Sequence, residues 1–197
     1  MVMEENQSYS SVAGNTKMWP SLNALMKQGA QPTNYYANAH FSIPNYFMLT
    51  TGQTVTLDDS STQIFNVDNI ARRMLSSKVA FKVYAEGIEP GYLGGNTGPY
   101  VLDHNPFALL SDVAGNPQVA NQVIQPFSQF LTDAAGNSLP AFSFIIPDLN
   151  DDAPQRYAAG RRQLAPIQRH QSAIRQSSLP GRRRWLADCC LRRIPHL

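Results

Sequence analysis

Residues 68–85 read DNIARRMLSSKVAFKVYA, and this stretch decides the fold class. Its first part opens on Asp68 and carries Arg72 and Arg73 inside it, which predicts a helix over 68–77. Its second part, 79–85, alternates along the chain and is rich in β-forming residues, which predicts a strand. Helices alternating with strands in this way build an α/β domain with a mostly parallel sheet. The stretch 141–146 (AFSFII) has the composition of a second, buried strand, closed by Pro147-Asp148.

The neighbouring segments fit the same pattern. Val2-Met3 reads as the end of a strand. Residues 18–28 have helical spacing with Gly29 as a stop signal, and 43–49 predict a short helix starting near Pro44. Another short helix is expected over 124–131. The Gly/Pro/Asn-rich segment 87–100 is too long for a simple connection, which predicts a functional loop. No internal repeat is visible.

Composition divides the chain at Asp152. Residues 1–152 hold 6 Lys/Arg and 13 Asp/Glu, a formal charge of −7, whereas 153–197 hold 10 Arg and one acid, Asp188, a charge of +9. With 43% hydrophobic residues over 197 positions, there is enough apolar material for a folded domain in 1–152. No apolar run approaches the roughly 20 residues needed to span a bilayer. Glu4-Glu5 so close to Met1 leaves no recognisable signal peptide, although Met1-Val2-Met3 also reads like a strand whose start is missing. Cys189-Cys190 are adjacent and lack metal-site spacing, so they do not report on compartment.

Four clusters could carry chemistry. Glu4-Glu5-Asn6 follows the first strand, where ligands gather in open α/β sheets, and its oxygens suit a hard divalent cation as well as a solvated loop. Ser42, two residues before Pro44, would sit beside free backbone N–H groups at a helix start. That position fits either an N-cap or an oxygen nucleophile attacking a phosphoryl centre. Asp148, Asp151 and Asp152 follow the last strand and repel one another unless a cation or hydrogen bonds neutralise them, so a metal site and a plain acidic turn are both open. His104, in His104-Asn105-Pro106-Phe107, reads as a phosphate contact or a surface-turn histidine.

Taken together, Met3-Glu4-Glu5-Asn6-Gln7-Ser8-Tyr9, Ser42-Ile43-Pro44-Asn45-Tyr46 with Leu49-Thr50-Thr51-Gly52, Lys82-Val83-Tyr84-Ala85-Glu86-Gly87, His104-Asn105-Pro106-Phe107 and residues 142–152 resemble the bacterial phosphoesterase family that includes acid phosphatases and phospholipase C-type enzymes. The resemblance covers 1 to about 152, in the family's order. It implies an alkaline-phosphatase-like three-layer α/β/α sandwich and metal-assisted hydrolysis of a small phosphoester. Ser42 would be the nucleophile of a covalent phospho-enzyme. Glu5, Asn6 and Asp151 would bind a divalent metal ion, with Asp148 and Asp152 as alternatives, and Asn45 and His104 would contact substrate. Exported relatives are common in this family.

Past Asp152 the resemblance stops. Members of the family continue with a histidine, a helix and a strand ending in Asp-Glu, whereas this chain turns rich in Arg, Gln and Pro. Reading the last two bases of each codon with the first of the next, residues 154–159 can encode His-Asn-Gly-Thr-Leu-Gln. Residues 162–165 can encode Asp-Asn-Trp-Leu, and 189–193 Val-Val-Phe-Asp-Glu. The expectation is therefore a partial phosphoesterase domain over 1–152 and an out-of-frame, irregular tail over 153–197. The sheet would then lose a neighbouring strand and the enzyme much or all of its activity. Competing readings are a nucleic-acid-binding module using Arg161-Arg162, Arg182-Arg183-Arg184 and Arg192-Arg193, and a non-catalytic fragment. The tail lacks any recognised nucleic-acid motif, so nucleic acid is not the favoured partner.

Overall fold

A computed structural model describes residues 1–32, 34–152 and 188–191. Its centre is a three-stranded parallel sheet of β2 (Phe81–Ala85), β3 (Ile124–Pro126) and β4 (Phe142–Ile146), in the order β3-β2-β4. Phe81 pairs with Phe142 and Ala85 with Ile146, so β2 and β4 end level with each other. The two strands predicted from alternation and apolar content are thus the paired centre of the sheet.

Alternation assigns the faces. Phe81, Val83 and Ala85 join Phe144 and Ile146 in the larger core, with Ile43, Tyr46 and Phe47 of α3 (Ser42–Thr51) and Ala71 and Met74 of α4 (Ile70–Ser76). Val113 of α5 (Ser111–Ala114) and Ala120 and Val123 of α6 (Pro117–Val123) pack into the same core. Tyr84 and Ile145 point the other way, against Phe130 and Ala134 of α7 (Phe127–Ala135). Helices therefore cover both faces, and each large side chain removed from water contributes about 1.5–3 kcal/mol before chain entropy is subtracted.

Other elements follow from local chemistry. The Asn69 side chain caps α4 by accepting from the Arg72 amide, at 2.9 Å. Gly52 ends α3 at φ 74, a conformation glycine adopts without a Cβ penalty, and its N–H bonds the Met48 carbonyl. Two short helices, α1 (Tyr9–Val12) and α2 (Pro20–Met26), bury Val12, Trp19 and Leu22 in a small satellite core. Short 3-10 turns at Leu102–His104 and Pro106–Leu109 lead into α5.

Three expectations are corrected. The first strand does not end at Met3: β1 runs Met3–Gln7 and pairs in parallel with β5 (Asp188–Leu191), Met3 opposite Asp188 and Gln7 opposite Leu191. Ladder bonding overrides the weak strand preference of Glu and Asn. The neighbour expected to be missing beside β1 is likewise supplied by Asp188–Leu191. Residues 124–131 do not form one helix, because Pro126 has no N–H for a helix interior. Ile124–Pro126 pairs with β2 instead, and α7 starts at Phe127. A bridge from Val2 to Ile145, with the Ile145 N–H on the Met1 carbonyl at 2.9 Å, ties the start of β1 to β4. Apart from 188–191, the tail and its arginine clusters lie outside the described residues.

Candidate active site

The carboxyl ends of β2 and β4 deliver acids to one place. Glu86 directly follows β2, and its N–H extends the ladder to the Ile146 carbonyl at 3.1 Å. Pro147 then turns the chain, and the Asp148 N–H donates to Glu86 Oε2, also at 3.1 Å. The amides of Asp151 and Asp152 bond back to the Asp148 carbonyl at 2.9 and 2.8 Å, winding a tight acidic turn. As a result Glu86, Asp148 and Asp151 can each present an oxygen within 4.8 Å of the others. They line a cleft of about 630 Å³ with Tyr92, Thr97, Phe127 and Ser128. Gly87, at φ 74, lets the chain leave the site where a Cβ would come within 3.4 Å of Tyr100. Burial, reinforced by the Glu86 charge, lifts the Asp148 carboxyl above its ordinary value despite hydrogen bonds from Asn150 and Asp151.

Asp152 takes a different direction from Asp148 and Asp151. It is 2% exposed, and its Oδ2 lies 3.4 Å from His104 Nδ1, while His104 Nε2 lies 3.8 Å from Asp103 Oδ2. The His104 ring stacks on Tyr46 of α3 at 5.1 Å between centroids. His104 is therefore no surface-turn residue: it is 2% exposed and links the acidic turn to the helix that begins with Ser42.

Ser42 is the first residue of α3 and is buried. The amides expected to be free beside it are not. Asp59 Oδ2 accepts from the Ser42 N–H at 3.2 Å and Asp59 Oδ1 from the Ile43 N–H at 2.9 Å. The next residue, Pro44, has no N–H to offer. Asn45 accepts from the Asn38 and Ala39 amides and donates to the Ala39 and Phe41 carbonyls, so its side chain braces the chain entering α3. Glu5 and Asn6 fall inside β1, and their side chains lie outside what is described.

Two residues escaped the sequence reading. Glu86 had a usable signal, an acid immediately after a strand, the same grammar that marked Asp148. Asp59 had none, because a cap supplied 16 and 17 residues away leaves no local pattern.

The parallel sheet with helices on both faces defines an α/β protein, and acids collect beyond the carboxyl ends of its strands, where ligands gather in open α/β sheets. The chain belongs to the Phosphoesterase family, whose profile matches residues 18–177. It is 34% identical over 160 residues to an acid phosphatase of Aspergillus fumigatus, covering 76% of this chain and 34% of that protein. It is 31% identical over 155 residues to a phosphatidylinositol-3-phosphatase of Mycobacterium tuberculosis, covering 77% and 50%. A phosphate-repressible acid phosphatase of Penicillium chrysogenum is 36% identical over 141 residues, covering 68% and 34%. The chain thus spans about a third to a half of the length of the curated relatives it matches. No helix among the described residues is long and apolar enough to cross a membrane.

Proposed function

We propose that the chain is built for hydrolysis of small phosphoric esters at the carboxyl ends of β2 and β4, with Ser42 as nucleophile. The observation that carries this reading is the convergence of Glu86, Asp148 and Asp151 on one cleft in a member of the Phosphoesterase family. The residues fit a divalent cation: three hard oxygen donors lie close together, and Asp148 is raised by burial and like charge, a penalty that a cation removes. Glu86, Asp148 and Asp151 would hold it, with Glu5 and Asn6 as the ligands that the resemblance adds. Such an ion supplies charge neutralisation at the phosphoryl oxygens.

The protein's own part is to supply the nucleophile and to position it. Ser42 Oγ forms a bond to phosphorus as the ester P–O bond breaks, the serine proton ending on the departing alcohol. Water then attacks phosphorus, the phosphoserine P–O bond breaks, and a water proton returns to Ser42 as phosphate leaves. His104, stacked on Tyr46 and facing Asp152, keeps the acidic turn against α3. Turnover by this chain is proposed to be weak, because residues 153–197 contain a single acid, Asp188, where the resemblance calls for a second acidic pair.

The test is hydrolysis of p-nitrophenyl phosphate by the purified full chain with and without Mg2+, Mn2+ or Ca2+. Slow release of p-nitrophenol that stops with a chelator and falls about a thousandfold, or to background, in Ser42→Ala is expected. Undiminished turnover in Ser42→Ala sinks the serine mechanism, and indifference to the chelator sinks the metal.

A further inference from the structure

The start of α3 holds an anion that its own neighbourhood does not provide. Phe41 occupies the N-cap and has no side-chain acceptor, so the first amides of the helix need a partner from elsewhere. Asp59 supplies it with both oxygens, one to each of the Ser42 and Ile43 amides. With Pro44 third in line, the first three helical positions each have an amide that is either bonded or chemically absent.

Reaching that position takes a deliberate chain path. Gly52 reverses the chain at the far end of α3, about 15 Å from its start for a helix of this length. Residues 53–59 must therefore run back along the helix. Val55, a β-branched residue, sits on this return at φ 56, a left-handed conformation that such side chains rarely adopt. Asp58 then fixes the turn, its Oδ1 accepting from both the amide and the hydroxyl of Ser60 at 2.9 and 2.6 Å. Asn45 in turn ties the incoming segment at Asn38, Ala39 and Phe41. The backbone of Ser42 is gripped from both directions.

We propose that Asp59 is a positioning residue for Ser42: its carboxylate clamps the first turn of α3 and so fixes the Cα from which the hydroxyl attacks phosphorus. This rests on the reading of Ser42 as nucleophile. It also assigns the two amides to the clamp, so substrate charge is met elsewhere in the site. A residue that holds the nucleophile without touching substrate acts on kcat and leaves KM nearly unchanged, because misplacing a reacting atom by a fraction of an ångström to an ångström affects only the chemical step.

The experiment uses the full chain, a fluorogenic aryl phosphate and saturating divalent cation, with amide NMR on the same samples. Asp59→Ala is expected to lower kcat about tenfold or more while KM stays within about twofold. The Ser42 and Ile43 amide protons should move upfield together. Asp59→Asn, which keeps one oxygen acceptor, should recover part of kcat and one of the two amide shifts. Asn116→Ala removes the side-chain cap of α6, whose Oδ1 accepts from the Gln118 and Val119 amides, and controls for a general loss of stability. It should leave kcat within about twofold. Wild-type kcat in Asp59→Ala, an equal loss in Asn116→Ala, or a marked fall in KM on removing the carboxylate would each overturn the clamp. Turnover that survives in Ser42→Ala overturns the serine reading instead, and the two failures are told apart by that variant alone.

Discussion

Two carboxylates, Asp133 and the proposed metal ligand Asp148, show how partners change the effect of burial in this molecule. Asp133, on α7 beneath the sheet, is 6% exposed. Burial pushes its carboxyl upward, yet Lys82 at 2.6 Å, the Tyr84 hydroxyl at 2.7 Å and Gln129 at 2.8 Å more than reverse this and hold it below the usual range. Asp148 is raised, first by burial and then by the like charge of Glu86, and its hydrogen bonds from Asn150 and Asp151 do not reverse the shift. Burial pushes both acids upward, and the partners decide whether that push is overcome. An acid already neutralised by its own fold stabilises that fold, whereas acids left in mutual repulsion have capacity for something from outside.

The largest expected effect lies on the stabilised side of this comparison. Asp133→Ala strips Lys82 and Tyr84 of their shared acceptor and should cost roughly 2 kcal/mol in chemical denaturation. It should not cost more, since the Lys82 side chain is 28% exposed and can be rehydrated. The pH dependence has a fixed sign. A depressed carboxyl stabilises the fold fully above the unfolded carboxylate range near pH 4 and loses that contribution as pH falls toward the folded value. The gap between wild type and Asp133→Asn should therefore be flat near neutrality and close in acid. A gap that instead widens in acid breaks the comparison from this side.

The second effect tests the repulsive side. A divalent cation at ten times its Kd should stabilise the folded chain by about 1.4 kcal/mol through binding alone. That shift should disappear in Asp148→Asn with Asp151→Asn and persist in Asp133→Asn. Thermal unfolding with and without the cation measures it. Equal stabilisation of all the variants would place the ion elsewhere.

The same contrast marks how far the sequence could be read. β2 and β4 were legible because side-chain alternation and a dense apolar run report burial directly, and α4 because its charges follow the helix dipole. β1 is not legible locally, since its extension through Glu4, Glu5 and Asn6 depends on a partner strand nearly the whole chain away. The apolar spacing of 124–131 suits either element, and Pro126 is the local mark of the break between β3 and α7. Asp148 and Asp151 stood out as acids after a strand. Glu86 carried the same mark at the neighbouring strand, but only the register of β2 with β4 shows that the two ends meet. The burial of His104 and the reach of Asp59 are tertiary facts with no local spelling.

The smallest expected effect is also the most discriminating, because it asks for a stability change of unusual sign. A carboxyl raised by burial and by Glu86 favours the protonated form in the fold, so the fold is penalised above that raised value and relieved as pH falls through it. Asp148→Asn removes the charge while keeping an oxygen for the Asn150 amide, which now bonds Asp148 Oδ1 at 2.7 Å. Without added cation near pH 7, the variant should be more stable than wild type, by at most about 0.5 kcal/mol because this partly exposed site is screened by water. The advantage should vanish in acid, where Asp148 is neutral in wild type as well, and reverse once a divalent cation is supplied. A substitution that destabilises the cation-free protein at neutral pH would mean that the turn needs the Asp148 charge for its own structure. The division between the two carboxylates would then fail at its second member.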